Sequence, residues 1–176
     1  PDNFKVQVKD EQRGVLELSA RQVVVATNAF AKSLTDEEVV PGRGQVLITE
    51  PIKNLKFKGN LHIDEGFYYL RNVGNRIMIG GGRNLAMEDE TTTEFGLNET
   101  IQSAIEKVMH EVVDMPEQTP IAMRWSGVMA FGKTKAPIVR TLEDGKILAV
   151  KMSGMGIALS AQVGELVTDL IEEQDG

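Results

Sequence analysis

The sequence predicts a mixed α/β fold of the α+β kind, in one domain or two small lobes. Three observations predict it. Strand-like runs recur along the chain, two segments carry helical apolar periodicity, and near the end a strand, a glycine turn and a helix follow one another without a spacer. With 176 residues and 41% hydrophobic content the chain can bury a real core.

Phe4-Lys-Val-Gln-Val8 alternates apolar and polar side chains as a half-buried strand does, Lys9 to Gly14 is turn material, and Val15-Leu-Glu-Leu18 begins a second strand. Arg21-Gln-Val-Val-Val-Ala26 is continuous and β-branched, which predicts a strand buried on both faces. Thr35-Asp-Glu-Glu38 has an N-cap residue followed by acids and predicts a short helical turn, closed by Pro41-Gly42. Gln45–Thr49, Phe67–Arg71 and Arg76–Gly80 read as strands, the last two joined tightly through Val73-Gly-Asn75 as an antiparallel hairpin. From about Asn98 to Val113, Ile101, Ile105, Val108, Met109 and Val112 make one apolar helix face. Ile121 to Phe131 is strand-like with an interruption at Gly127, and Ala136–Arg140 is a short strand. Lys146–Met152 is the strand that breaks into Ser153-Gly-Met-Gly156, and the helix from Ile157 to Ile171 carries Leu159, Val163, Leu166, Val167 and Leu170 on one face, with Glu172-Glu173 closing it.

The totals exclude several classes. A net charge of −7 argues against a nucleic-acid or anionic-membrane surface. The absence of cysteine excludes disulfides and thiolate catalysis, and fits a cytoplasmic location. No apolar run reaches the ~18 residues of a membrane span. Pro1-Asp2 opens the chain without methionine and leads at once into strand-like sequence, as expected of a piece cut from a longer protein or of a processed N-terminus.

The residues also limit the chemistry. His62 and His110 are isolated in the sequence and no His/Asp/Glu cluster has metal-ligand spacing, so no metal site is expected. No nucleophile elbow or phosphate loop occurs, and no residue set reads as catalytic. Gly154-x-Gly156 fails the dinucleotide fingerprint, because Leu159 occupies the third glycine position and the chain ends before a second strand. What the Ser153–Ile157 turn does offer is a helix start whose free N–H groups carry partial positive charge, with glycines that admit a flat polar ligand. Ala26-Thr-Asn28, small and polar at a strand's carboxyl end, suits either a ligand crevice or an ordinary turn. Tyr68 and Tyr69 alternate faces, so one is core and the other lines a surface. Arg43, Arg71 and Arg83 each suit a bidentate carboxylate contact, or a solvated or structural role.

Five stretches in order carry a resemblance: Val23-Val-Val-Ala-Thr-Asn-Ala29; Arg43-Gly-Gln-Val46; Tyr68-Tyr-Leu-Arg71 with Arg76-Ile-Met-Ile-Gly-Gly81; Trp125-Ser-Gly127 through Pro137-Ile-Val139; and Met152-Ser-Gly-Met-Gly-Ile157 with its helix. On these the chain resembles the C-terminal half of a flavoprotein of the D-amino-acid oxidase, glycine oxidase and sarcosine oxidase family. The resemblance implies a fragment of a two-lobed FAD-dependent oxidoreductase. Residues 1–40 would be part of the FAD-binding lobe, 41–131 a substrate lobe with an antiparallel sheet over the flavin and one helix, and 132–176 a return to the FAD-binding lobe. It further implies that the family's N-terminal segment with the glycine fingerprint lies outside this chain and would be a partner in the same protein.

By this resemblance Ala26, Thr27 and Asn28 line the FAD crevice, and Ser153, Gly154, Met155, Gly156 and Ile157 face the pyrimidine edge of the flavin. The implied reaction is oxidation of the C–N bond of an amine or amino acid by hydride transfer to FAD. Two departures bear on the substrate. Val128-Met129-Ala130 stands where glycine and D-amino-acid oxidases carry a carboxylate-binding arginine, and Ile157-Ala158 stands where sarcosine oxidase carries a lysine. Tyr69, Arg43, Arg71 and Met129 are therefore the substrate-side candidates, for a secondary or polyamine-like amine or for an amino acid held by an arginine. The alternative is a non-catalytic binding or assembly module that keeps the oxidase fold. If the chain stands alone, uncovered apolar surface on Arg21–Ala26 and the last helix predicts a homodimer or strand-edge pairing.

Overall fold

The computed structural model describes residues 4–176, so the Pro1-Asp2 start lies outside the described residues. In chain order the elements are β1 (Phe4–Asp10), β2 (Gly14–Ala20), β3 (Val24–Val25), β4 (Val40–Thr49), β5 (Asn60–Ile63), β6 (Tyr68–Val73), β7 (Arg76–Gly81), α1 (Glu99–Glu111), β8 (Ile121–Phe131), β9 (Ile138–Thr141), β10 (Ile147–Val150) and α2 (Gly156–Asp175). Short 3-10 turns occupy Asn28–Ser33, Asp64–Gly66 and Arg83–Ala86. The architecture is mixed α/β with antiparallel sheets. Contacts divide it into two compact units, Pro1–Val40 with Ala130–Gly176, and Pro41–Met129.

The second unit is built on a five-stranded sheet in the order β5-β6-β7-β4-β8. β6 and β7 form the antiparallel hairpin that Gly74-Asn75 predicts, with Val73 opposite Arg76. Leu47, Ile79 and Leu70 are register partners across β4, β7 and β6 and point to one face. There they pack with Tyr68 and Ile77 against Ile101, Ile105 and Met109 of α1. Each such buried aliphatic side chain contributes about 1.5–3 kcal/mol. Helix α1 begins where its sequence says it should: the Asn98 side chain accepts from the N–H groups of Thr100 and Ile101, satisfying two donors of the first turn. Val112, predicted on the apolar face, instead caps the helix end and is exposed, while its neighbour Val113 packs against the core. A polar chain ties the helix to two strands: Gln45 Oε1 accepts from the Asn98 N–H and from Gln102 Nε2, and Gln102 Oε1 accepts from Arg124, which pairs with Glu106 at 2.6 Å.

The first unit contains a three-stranded sheet, β3-β10-β9, and the separate β1–β2 hairpin. The continuous burial predicted for Arg21–Ala26 belongs instead to β10, whose four residues are all buried. β10 is central, parallel to β3 and antiparallel to β9. β3 is only two residues long and pairs with β10 alone, so Val24 is 39% exposed while Val25 is buried. Helix α2 packs on β9 and β10, with Val163 buried; Leu166, predicted on the same face, is exposed, and the helix continues past Glu172-Glu173 to Asp175.

Three further expectations change. The helical turn predicted at Thr35–Glu38 lies earlier, at Asn28–Ser33. Thr35 closes that turn, its hydroxyl donating to Ala31 O and accepting from the Glu37 N–H. Pro41-Gly42 stands inside β4, before the residues Val46–Ile48 that pair with β7. β8 runs unbroken through Gly127.

Candidate functional site

Two clusters of candidate residues form, one in each unit. In the first unit the parallel pairing of β3 and β10 sets both carboxyl ends on one side of the sheet, the position where α/β sheets bind ligands. Ala26, Thr27 and Asn28 leave β3 there, and the Met152–Met155 turn leaves β10. The two are joined directly, since Asn28 Oδ1 accepts from the Lys151 N–H at 3.0 Å. The turn is tightly coiled: Lys151, Ser153 and Gly154 all take positive φ, at 65°, 49° and 80°. Only glycine adopts this region without strain, so Gly154 follows from sequence while Lys151 and Ser153 must be held there by their contacts. Ser153 N–H donates to Ala130 O, and Met155 N–H closes onto Met152 O.

Helix α2 then starts without a side-chain cap. Its first backbone bond back to the turn runs from Leu159 N–H to Met155 O, which leaves the N–H groups of Gly156, Ile157 and Ala158 without an acceptor among the described residues. Ser153 Oγ is buried with no hydrogen-bond partner among the described residues. Ile157, an apolar side chain, is 98% exposed beside these donors. A flat ring bearing carbonyl and imine acceptors fits this set: it would take up the open donors and the orphaned hydroxyl while covering Ile157. A groove elsewhere in this unit, lined by Lys32, Asp36, Glu37, Arg140, Glu143 and Asp144, includes none of the candidate residues.

In the second unit the candidates lie on the sheet face opposite α1. Alternation puts Tyr69 and Arg71 there, with their register partners His62, Gly80 and Val46, and Asn60, Met78 and Ile48. The Tyr69 ring lies across Gly80, where a Cβ would meet its Cζ at 2.5 Å. Gly80 is thus the reason the phenol can lie flat on the sheet. His62, isolated in the sequence, is a cross-strand neighbour of Tyr69 with ring centroids 6.5 Å apart. Burial pushes the Tyr69 phenol above its ordinary range although the residue is 37% exposed. Met129 joins the same face, its Cε 2.7 Å from where a Gly44 Cβ would stand. The Arg71 side chain is exposed and has no partner among the described residues.

Arg43 differs from its expected role. Its guanidinium makes a bidentate pair with Glu90, Nη2 to Oε1 at 2.7 Å and Nε to Oε2 at 2.9 Å, and Nη1 donates to Glu94 O. That hydrogen bond to Glu90 raises the arginine further above its ordinary range. Burial pushes the Glu90 carboxyl up, but Arg43, Gln45 and Arg83 outweigh it and hold it below the ordinary carboxylate range. A substrate carboxylate would have to displace Glu90 to reach this fork. Among the described residues no group of His, Asp and Glu side chains has the arrangement of a metal site. Sequence reasoning misses Lys151, whose signal is only a lysine after four apolar strand residues, and Glu90, which has no local signal.

The comparisons with known proteins agree with this fold. Solved structures that share the fold include L-proline dehydrogenase from P. horikoshii, 22% identical over 96% of this chain and 46% of that chain, TM-score 0.75. Iminodiacetate oxidase from Chelativorans sp. BNC1 is 14% identical over 98% of this chain and 50% of its own, TM-score 0.73. Glycine oxidase from Geobacillus kaustophilus is 21% identical over 98% of this chain and 47% of its own, TM-score 0.71. This chain therefore spans about half the length of these structures. No curated protein sequence matches it. The model of the FAD dependent oxidoreductase family (DAO) matches residues 2–170, nearly the whole chain, and the chain belongs to that FAD-dependent family.

Proposed function

We propose that this chain forms part of an enzyme that oxidises the C–N bond of an amine or amino acid with FAD as hydride acceptor. The observation that carries the reading is the start of α2: three N–H groups without acceptors among the described residues, next to a buried Ser153 Oγ that has no partner among them either. Ala26, Thr27, Asn28 and Ser153 to Ile157 are the residues proposed to hold the flavin. The family supports the cofactor, and the similarity to L-proline dehydrogenase, iminodiacetate oxidase and glycine oxidase supports the substrate class.

FAD held at this turn would supply the hydride acceptor: the carbon next to nitrogen would lose a hydride and the nitrogen a proton, and water would hydrolyse the resulting imine. The chain's own residues position and polarise. The N–H groups of Gly156, Ile157 and Ala158 present the positive end of a 20-residue helix, which favours negative charge at that place. In the second unit, Val46, Ile48, Met78 and Met129 offer an apolar surface and the Tyr69 ring a flat one. Arg71 is the cation on this face proposed to hold a substrate carboxylate. Arg43 is assigned to the fold, through Glu90. Residues 1–40 and 132–176 are proposed as parts of the FAD-binding lobe, and 41–131 as the substrate lobe. The remaining FAD contacts are assigned to a further segment of the same protein, which is proposed to act in the cytoplasm. The exposed Val24, Ile157 and Leu166 also make a homodimer the expected state of this chain by itself.

The test is anaerobic mixing of the full-length protein, loaded with FAD, with secondary amines, polyamines and amino acids. Loss of the oxidised flavin spectrum with one of these classes supports the reading. A loaded protein that none of them reduces contradicts it and favours a non-catalytic module. Arg71→Met is expected to raise KM for carboxylate-bearing substrates and leave neutral amines unchanged.

A further inference from the structure

Lys151 is unusual in three independent ways. It is 6% exposed, yet no carboxylate of the described residues lies within ion-pair distance of its ammonium. It is a non-glycine residue held at φ 65°. It also ties three segments together. Its N–H donates to Asn28 Oδ1 at 3.0 Å, and its Nζ donates to Thr134 O at 3.0 Å and Thr134 Oγ1 at 2.9 Å. Its stem lies against Gly132, where a Cβ would stand 2.7 Å from Lys151 Cδ. Two neutral oxygens do not balance a buried cation, and an ammonium has a third donor. A buried charge without a counter-charge is costly unless an anion completes it.

We propose that Lys151 is a positioning residue whose buried ammonium supplies a fixed positive charge for an anionic ligand edge at the Ser153–Ile157 turn. It would act by fixing the left-handed residue from which that turn departs, with Asn28 and Thr134 as its two braces. This rests on the flavin reading of the same turn. The ligand class is a heteroaromatic ring that gains negative charge on reduction.

The test uses the full-length protein and compares wild type with Lys151→Met, which keeps the stem and removes the charge. Three quantities are measured: thermal stability without FAD, FAD affinity, and the reduction potential of bound FAD. Without FAD the variant is expected to be as stable as wild type or more so, because an uncompensated charge is gone. FAD should bind roughly 10- to 100-fold more weakly, the effect of losing one charge-assisted contact. The potential should fall, since the reduced ring carries the extra negative charge. Lower stability with unchanged affinity and potential would make Lys151 a structural lysine and overturn the proposal. Wild type that takes up no FAD would overturn the flavin reading itself, whereas wild type and variant alike in affinity and potential would overturn only the role of Lys151. Thr134→Val is the second variant, on an exposed loop residue. It removes one brace and should weaken FAD binding by about 2- to 10-fold, and no change there would likewise contradict the proposal.

Discussion

The two units treat one cation and one helix start in opposite ways. In the Pro41–Met129 unit the half-buried cation Arg43 meets the fully buried Glu90 through two hydrogen bonds, and the first turn of α1 is closed by Asn98. In the other unit the buried cation Lys151 meets only neutral oxygens, and α2 starts without a side-chain cap. The Arg43–Glu90 pair and the Asn98 cap are closed within the chain, although Gln45 Nε2 and Asn84 Oδ1 of the same unit are buried without a hydrogen-bond partner among the described residues. The arrangement around Lys151 and α2 has donors left over, and they converge on one turn. Satisfied polar groups specify a fold, while unsatisfied ones at a strand–turn–helix junction mark where something else binds.

The largest test of this contrast is Glu90→Gln. Glu90 is fully buried, and removing its charge strands Arg43, so unfolding by denaturant should show a loss of about 3–5 kcal/mol. A loss under about 1 kcal/mol would mean that the pair behaves as a surface contact. The same pair sets an acid dependence. The folded-state value for Glu90 is depressed, so its contribution is complete above the ordinary glutamate range near about 4.3 and is lost as pH falls through the lower folded value. Urea midpoints should therefore drop more steeply below about pH 4 in wild type than in Glu90→Gln.

Next in size are two glycines on the open sheet face. Gly80→Ala drives a Cβ into the Tyr69 ring and should cost about 1–3 kcal/mol, with a change in tyrosine absorbance. Gly44→Ala meets only the mobile end of Met129 and should cost less than Gly80→Ala. Equal losses would show that Tyr69 is not fixed by Gly80. The smallest effect is Asn98→Ala, about 1 kcal/mol from the lost cap. No cap substitution at Met155 should reproduce it, because α2 has no side-chain cap to lose.

Local chemistry made much of this legible. The Gly74-Asn75 hairpin, the Asn98 helix start and the junction from β10 to α2 each declare themselves within a few residues. The misreadings are non-local. Val23-Val-Val25 has the composition of a central strand, but burial depends on how many neighbours a strand has, and here it has one. Arg43 offers a free fork in sequence, and its partner Glu90 is 47 residues away. Lys151 reads as an ordinary polar break after Val150, and only its φ and burial reveal the constraint on it.

The most direct measurement of the central claim is an FAD titration of the full-length protein carrying Gly156→Pro. Proline at the first helical position removes an N–H that has no protein acceptor, and a side chain at Gly156 meets Met152 only at ordinary contact, 3.7 Å. Stability without FAD should fall modestly, because Met155 at ψ 21° is disfavoured before proline, and FAD affinity should fall by roughly tenfold or more, as for loss of one strong hydrogen bond. Unchanged FAD affinity in a stably folded variant would contradict the assignment of this turn to the flavin.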